Sequence, residues 1–220
     1  MIARDAAIAG YEDGRIHIQH VSARESVAAI ELAKAGGVKI SAEVSPHHLT
    51  LTDEIVRSLD ANTKMNPPLR AEADRKALIE GLRNGALDFI ATDHAPHSRE
   101  EKEQPLETAP FGIIGLETAF SVLYTKLVQP GVLPLELIVE RMSAGAPWFE
   151  IDLPSLKKGS PANITLVDLE AEWQVGEAGY ESRSANSPWA GETLSARVRM
   201  TVANGAVCYR ERSFAIGAVA

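Results

Sequence analysis

Between residues 15 and 92 the sequence repeats one unit, an apolar strand-like run joined to a helical pattern, and this alternation restricts the fold more than any other feature. RIHIQHV (15–21), VKISAEV (38–44) and ALDFIAT (86–92) read as strands. A helix is predicted over 23–35, where Val27, Ile30 and Ala33 recur at helical spacing, with Ser22 as its N-cap and Gly36-Gly37 as its stop. A second helix is predicted over 71–84, ending at Gly85, and two more near 116–128 and 135–144. Successive strand–helix units require a parallel sheet, either open and doubly wound or closed as a (β/α)8 barrel.

After Trp148 the texture changes. ANITLVDL (162–169), ETLSARVRMTVANG (192–205) and AVCYRE (206–211) are short alternating runs punctuated by Gly, Pro, Asn and Ser, which reads as a small all-β module. Asn204-Gly205 is a hairpin-turn signal between two such runs. The boundary is expected near residue 155, giving an α/β part over 1–155 and a β-module over 156–220. The charged stretch SREEKEQ (98–104) reads as a solvated loop.

Composition excludes several function classes. A chain of 220 residues with 45% hydrophobic and 24% charged residues is globular rather than disordered. No apolar run approaches the ~18 residues of a membrane span, and the first residues do not form a secretory leader. A net charge of −8 opposes electrostatic nucleic-acid binding. Cys208 is the single cysteine, which excludes an internal disulfide framework and a cysteine-based zinc finger and fits a reducing, cytoplasmic location.

Polar chemistry gathers where each strand ends: His20-Val21-Ser22, Ser45-Pro46-His47-His48, and Thr92-Asp93-His94-Ala95-Pro96-His97. All six histidines lie within or just after these strands. In parallel α/β folds the carboxyl ends share one edge, where catalytic groups converge. Imidazole and carboxylate are ligands of hydrolytic zinc, and aspartate also serves as a general base. Other roles compete. His17 is expected on the opposite face of the pleat from His20, packed against a helix. His47 and His48 follow a proline and are expected to shape a loop rather than bind metal. His94 is open between a loop role and a site role. KMNPPLR (64–70) also reads as a rigid turn, and Gly112 and Gly115 as glycines of close backbone approach.

These motifs resemble the larger-type dihydroorotases of the cyclic amidohydrolase superfamily. ATDHAPH (91–97), with Lys102 five residues after it, is similar to the family's signature around its catalytic aspartate. HVS (20–22), AEVSPHHL (42–49), KMNPPLR (64–70) and APFGIIGLET (109–118) occur in the family's order. KGSPANITLVDL (158–169) and SANSPWAGETLSARVRMTVANGAVCY (184–209) are similar to its closing β-module.

The resemblance implies an α/β fold, part of a (β/α)8 metallo-hydrolase barrel comprising strands six to eight, followed by the β-module. It implies zinc as cofactor, with His20 and Asp93 as ligands and Asp93 also the general base. Asn66, His97 and the backbone of Phe111-Gly112 take the place of substrate contacts. The implied reaction interconverts dihydroorotate and N-carbamoyl-aspartate in pyrimidine synthesis. The family's H-x-H ligand pair, its bridging acidic residue, one further histidine and a carboxylate-binding arginine have no counterpart here. The chain therefore corresponds to a C-terminal half, with an incomplete zinc site and no activity expected alone. Hydantoinase or allantoinase activity is an alternative, as is a noncatalytic scaffold for aspartate transcarbamoylase. Partner expectations are a small-molecule substrate, with association through self-assembly or with a transcarbamoylase, and neither nucleic acid nor membrane.

Overall fold

The strand–helix alternation becomes a three-stranded parallel sheet in the computed structural model, which describes residues 1–214. Helix α1 (Ile2–Tyr11) leads into β1 (Arg15–Ile18), α2 (Arg24–Ala35) and β2 (Lys39–Val44). The one-turn α3 (Pro46–Thr50), two short 3-10 turns and α4 (Glu72–Asn84) follow, before β3 (Phe89–Ile90). The sheet order is β1-β2-β3, with Ile18 opposite Ala42 and Glu43 opposite Phe89.

Period-two alternation divides this sheet into two unlike faces. Ile16, Ile18, Ile40, Ala42, Val44 and Ile90 face the helices, in one core with Val27, Ile30, Leu78 and Leu82. Fully burying each large aliphatic side chain there contributes about 1.5–3 kcal/mol. His17, Ser41, Glu43 and Phe89 have the opposite parity, and they build the site described below.

Three local expectations are corrected. Helix α2 starts at Arg24 after Ala23, not on Ser22, and no side chain at its own N-cap position supplies a bond. Asp74 of α4 instead accepts the Arg24 N–H at 3.0 Å, so the cap comes from a neighbouring helix. The first and third strands are shorter than the apolar runs, ending at Ile18 and Ile90, and the residues at positive φ, His20 at 51° and Asp93 at 50°, lie just beyond them. The stretch 98–104 is not an open loop. It contains α5 (Arg99–Lys102), closed by a capping box between Ser98 and Glu101. Lys102 is buried and donates to the carbonyls of Pro110 and Gly112.

Helix α6 (Ala119–Leu123) continues as a π-type turn to Val128, and α7 (Leu135–Ser143) and α8 (Gly145–Trp148) complete the helical part. Beyond them, β4 (Ile164–Asp168), β7 (Arg197–Ala203) and β8 (Ala206–Arg210) form an antiparallel sheet, while β5 (Trp173–Gln174) pairs with β6 (Thr193–Leu194). Asn204 and Gly205, both at positive φ, make the hairpin turn between β7 and β8, as their sequence signal predicts. Val175, Trp189 and Leu194 from this region share a second core with Met65, Leu69, Ile113 and Val122. Strand-end loops and C-terminal segments are thus packed as one layer.

Helix α3 buries both of its histidines. The Ser45 hydroxyl donates to His48 Nδ1 at 2.7 Å, and His48 Nε2–H donates to Pro67 O at 2.9 Å. Burial lowers the His48 pKa to about 4 and holds His47 well below the ordinary histidine value. The unfolded chain therefore takes up protons first as pH falls. Stability from neutral His48 is complete above its ordinary value of 6.5 and is lost by about pH 4. That shift corresponds to about 3 kcal/mol, and His47 acts in the same direction. Urea unfolding across this range is expected to show the loss, with His48→Gln having a shallower pH slope. An unchanged slope would remove His48 as its source.

Candidate metal and substrate site

The site is built on the sheet face that points away from the helices. Glu43, 5% exposed, lies between two imidazoles. His17 Nε2–H donates to Glu43 Oε2 at 3.0 Å, and His17 Nδ1 accepts from the Ser41 hydroxyl at 2.8 Å. His20 Nδ1 lies 3.0 Å from Glu43 Oε1. This second contact is close but poorly aligned for a hydrogen bond, and it becomes a charge pair only when His20 is protonated. The expectation that His17 packs on a helix away from His20 fails: the two histidines share one carboxylate. Strand alternation stops at Ile18, and the left-handed backbone of His20 returns its ring to the face that His17 occupies. His17 also stacks on Phe89, with ring centroids 5.0 Å apart.

On its other side, His20 Nε2 lies 3.4 Å from Asp93 Oδ1. Two strand ends, both in the left-handed region that histidine and aspartate tolerate better than most residues, therefore aim a ring nitrogen and a carboxylate at each other. Glu43 raises the His20 pKa against the opposing effect of burial, with Asp93 adding to the rise. Burial also raises Asp93, partly offset by His20. For Glu43, burial alone would raise the pKa, but the two imidazoles outweigh it and hold the group below the usual carboxylate value.

A second group of residues lies on the loops. His97 Nε2–H donates to Phe111 O at 2.9 Å, and its Nδ1 faces Glu101 at 3.5 Å. Gly112 N–H donates to Lys64 O, and Gly112 O accepts from Lys102 Nζ and Asn186 Nδ2. Gly112 has φ +127°, and an added Cβ would lie 2.6 Å from the Ala95 Cβ. Lys64 Nζ donates to the carbonyls of Leu106 and Glu107 and lies 4.6 Å from the Phe111 ring centre. Asn66 is exposed and makes no side-chain hydrogen bond among the described residues. His94 is a loop histidine, its Nδ1 accepting from the Gly115 and Leu116 N–H groups.

The structure thus brings His20 together with Asp93, and His97 together with Phe111 and Gly112. Lys64 joins the segment that carries Asn66 to the second group. Sequence inspection missed Glu43 and Asn186. Glu43 had a signal, an acidic residue inside an apolar strand and in phase with Ser41. Asn186 had none, since it lies in a polar stretch of the C-terminal region.

Residues 3–208 match the amidohydrolase family. The chain belongs to that family. It is 46% identical over 215 residues to the dihydroorotase of Halalkalibacterium halodurans, covering 97% of this chain and 50% of that protein. It is 47% identical over 211 residues to the dihydroorotase of Bacillus pumilus, covering 96% and 49%. The chain spans about half the length of the curated relatives it matches. Among solved structures, the L-hydantoinase (dihydropyrimidinase) from Arthrobacter aurescens superposes with a TM-score of 0.88 at 29% identity, covering 95% of this chain and 48% of that one. A D-hydantoinase superposes at 0.82 with 28% identity, covering 96% and 48%.

The fold is therefore that of an amidohydrolase, an α/β metallo-hydrolase. No helix among the described residues is long and apolar enough to cross a membrane. The donor set fits a metal in part. With Nδ1–H turned to Glu43, the Nε2 lone pair of His20 faces the Asp93 carboxylate, an arrangement that an intervening cation would stabilise. No cluster of three or more His, Cys, Asp or Glu suited to a metal occurs among the described residues.

Proposed function

We propose that this chain is the C-terminal half of a dihydroorotase. Its three-stranded sheet corresponds to strands six to eight of a (β/α)8 barrel over residues 1–155, and the closing β-module takes up residues 156–220, of which 215–220 lie outside the described residues. The observation that carries the proposal is the pairing of His20 Nε2 with Asp93 Oδ1, from the segments that follow β1 and β3 on either side of β2, in a chain 46% identical to a dihydroorotase. His20 and Asp93 would hold zinc together with ligands from outside these residues. When bound, the ion supplies Lewis-acid polarisation of the ring carbonyl and makes water more acidic.

Asp93 takes a proton from the attacking water and returns it to the leaving ring nitrogen. Burial suits it to this exchange by raising its proton affinity. Glu43 fixes the orientation of His20. Asn66, His97 and the backbone of Phe111-Gly112 contact the small-molecule substrate, the turn's backbone groups sharing or exchanging for it their bonds to His97, Lys64, Lys102 and Asn186. In the reverse direction Asp93 deprotonates the carbamoyl nitrogen of N-carbamoyl-aspartate.

The hydantoinase neighbours favour a second reading, ring opening of hydantoins, but at 29% identity against 46–47% for the dihydroorotases. The test assembles this chain with the N-terminal half of the Halalkalibacterium halodurans dihydroorotase and assays dihydroorotate, hydantoin and allantoin. Preferential opening of dihydroorotate is expected, and preference for either other ring would replace the proposal.

A further inference from the structure

Asn186 lies 74 residues beyond Gly112 and 91 beyond Ala95, yet its side chain joins both. It is 4% exposed. Nδ2 donates one hydrogen to Ala95 O at 3.0 Å and the other to Gly112 O at 3.2 Å, while Oδ1 accepts the His97 N–H at 3.3 Å. Its backbone carbonyl accepts the Ile114 N–H at 3.0 Å. Two carbonyls on one side and an N–H on the other fix the orientation of the amide. Each bond reaches the loop after β3 or the turn at residues 111–114.

The turn itself has little freedom left. Phe111 O is held by His97, Gly112 N–H by Lys64 O, and Gly112 O by Lys102 as well as Asn186. Lys102 belongs to the same loop system, only 10 residues from Gly112. Asn186 supplies the side-chain hydrogen bonds that tie this system to the C-terminal segment, beside the packing of Ile113 against Val175, Trp189 and Leu194 in the second core.

We propose that Asn186 is a positioning residue, a buckle through which the C-terminal segment sets the spacing between His97 and the Phe111-Gly112 turn and so tunes substrate affinity. Its link to substrate rests on the function proposed above. Its link to loop geometry rests on the hydrogen bonds alone. Aspartate at this position keeps the acceptor for His97 N–H but turns an anion towards two carbonyls. Alanine removes all three side-chain bonds and leaves a buried void.

Hydrogen exchange on residues 1–220 and kinetics of the assembled enzyme test the two parts separately. In Asn186→Ala, exchange at the Ala95, His97 and Gly112 amides is expected to accelerate about tenfold or more, the scale of one or two lost buried hydrogen bonds, and in Asn186→Asp at the Ala95 and Gly112 amides. The amides of α2 and α4 should keep their rates. In the assembled enzyme KM is expected to rise about tenfold, with kcat within about threefold and metal content unchanged. Uniform acceleration across all amides, or unchanged rates at these three, would overturn the buckle. A local acceleration with unchanged KM would overturn its role in substrate affinity. If the unsubstituted assembly opens none of the three rings, the proposed function fails, while the exchange rates still decide whether Asn186 holds the loops.

Discussion

Asp93→Asn in the assembled enzyme is expected to lower kcat by ~10²–10⁴, the usual contribution of general acid–base catalysis. The substitution is nearly isosteric and keeps an oxygen that can face His20. It removes the carboxylate that would accept a proton from water, and it weakens a ligand to any bound ion. The aspartate lies three residues beyond the end of β3, at φ +50° and 3.4 Å from His20. Asparagine also tolerates the left-handed backbone, which separates the chemical loss from a folding defect. Initial rates with dihydroorotate, circular dichroism and metal content together provide the measurement. Retention of more than about half the parent rate at equal metal content would assign the proton transfer to another group.

The residues differ in how much of their role the sequence could reveal. Strand parity made the helix-facing side of the sheet readable, since Ile40, Ala42 and Val44 are apolar in strict alternation and all buried. The same rule misled at His17 and His20, because the pleat ends between them and a left-handed residue reverses the expected direction. In ATDHAPH the residue pattern alone leaves His94 open and only the family resemblance gives His97 a substrate contact, whereas the fold has His94 receiving backbone N–H groups and His97 donating to Phe111 O. Lys102 was read with a run of charges, but its burial depends on two carbonyls, of Pro110 and Gly112, that the fold brings over it. Asn186 is the extreme case, a polar residue among polar residues whose partners lie 74–91 positions away. Local pattern carries information about periodicity and caps, whereas partner identity at such separations is set by how the loops and the C-terminal segment pack.

Residues 1–220 alone are expected to show no detectable ring opening. The sheet has three strands, and among the described residues β1 and β3 each pair with only one neighbour, leaving two strand edges free to bond elsewhere. The face bearing His17, Glu43 and Phe89 has no opposing strands in this sheet. Ile8, Tyr11 and Leu32 are 56%, 88% and 76% exposed, which adds apolar surface around α1 and α2. His20 and Asp93 supply two donors, whereas catalytic zinc sites ordinarily take three protein ligands. Zinc is therefore expected to be lost on dialysis against a chelator, and the chain to associate with itself or with an added N-terminal half. Light scattering, bound zinc and ring-opening rates, measured with and without that half, test the three consequences together. Recovery of activity only on mixing is the expected result, because the added strands would satisfy the free edges and bring further ligands to His20 and Asp93. Full activity from a monodisperse monomer would require a catalytic centre built entirely from this chain, and stoichiometric zinc surviving the chelator would point to His47, His94 or His97 as an additional ligand.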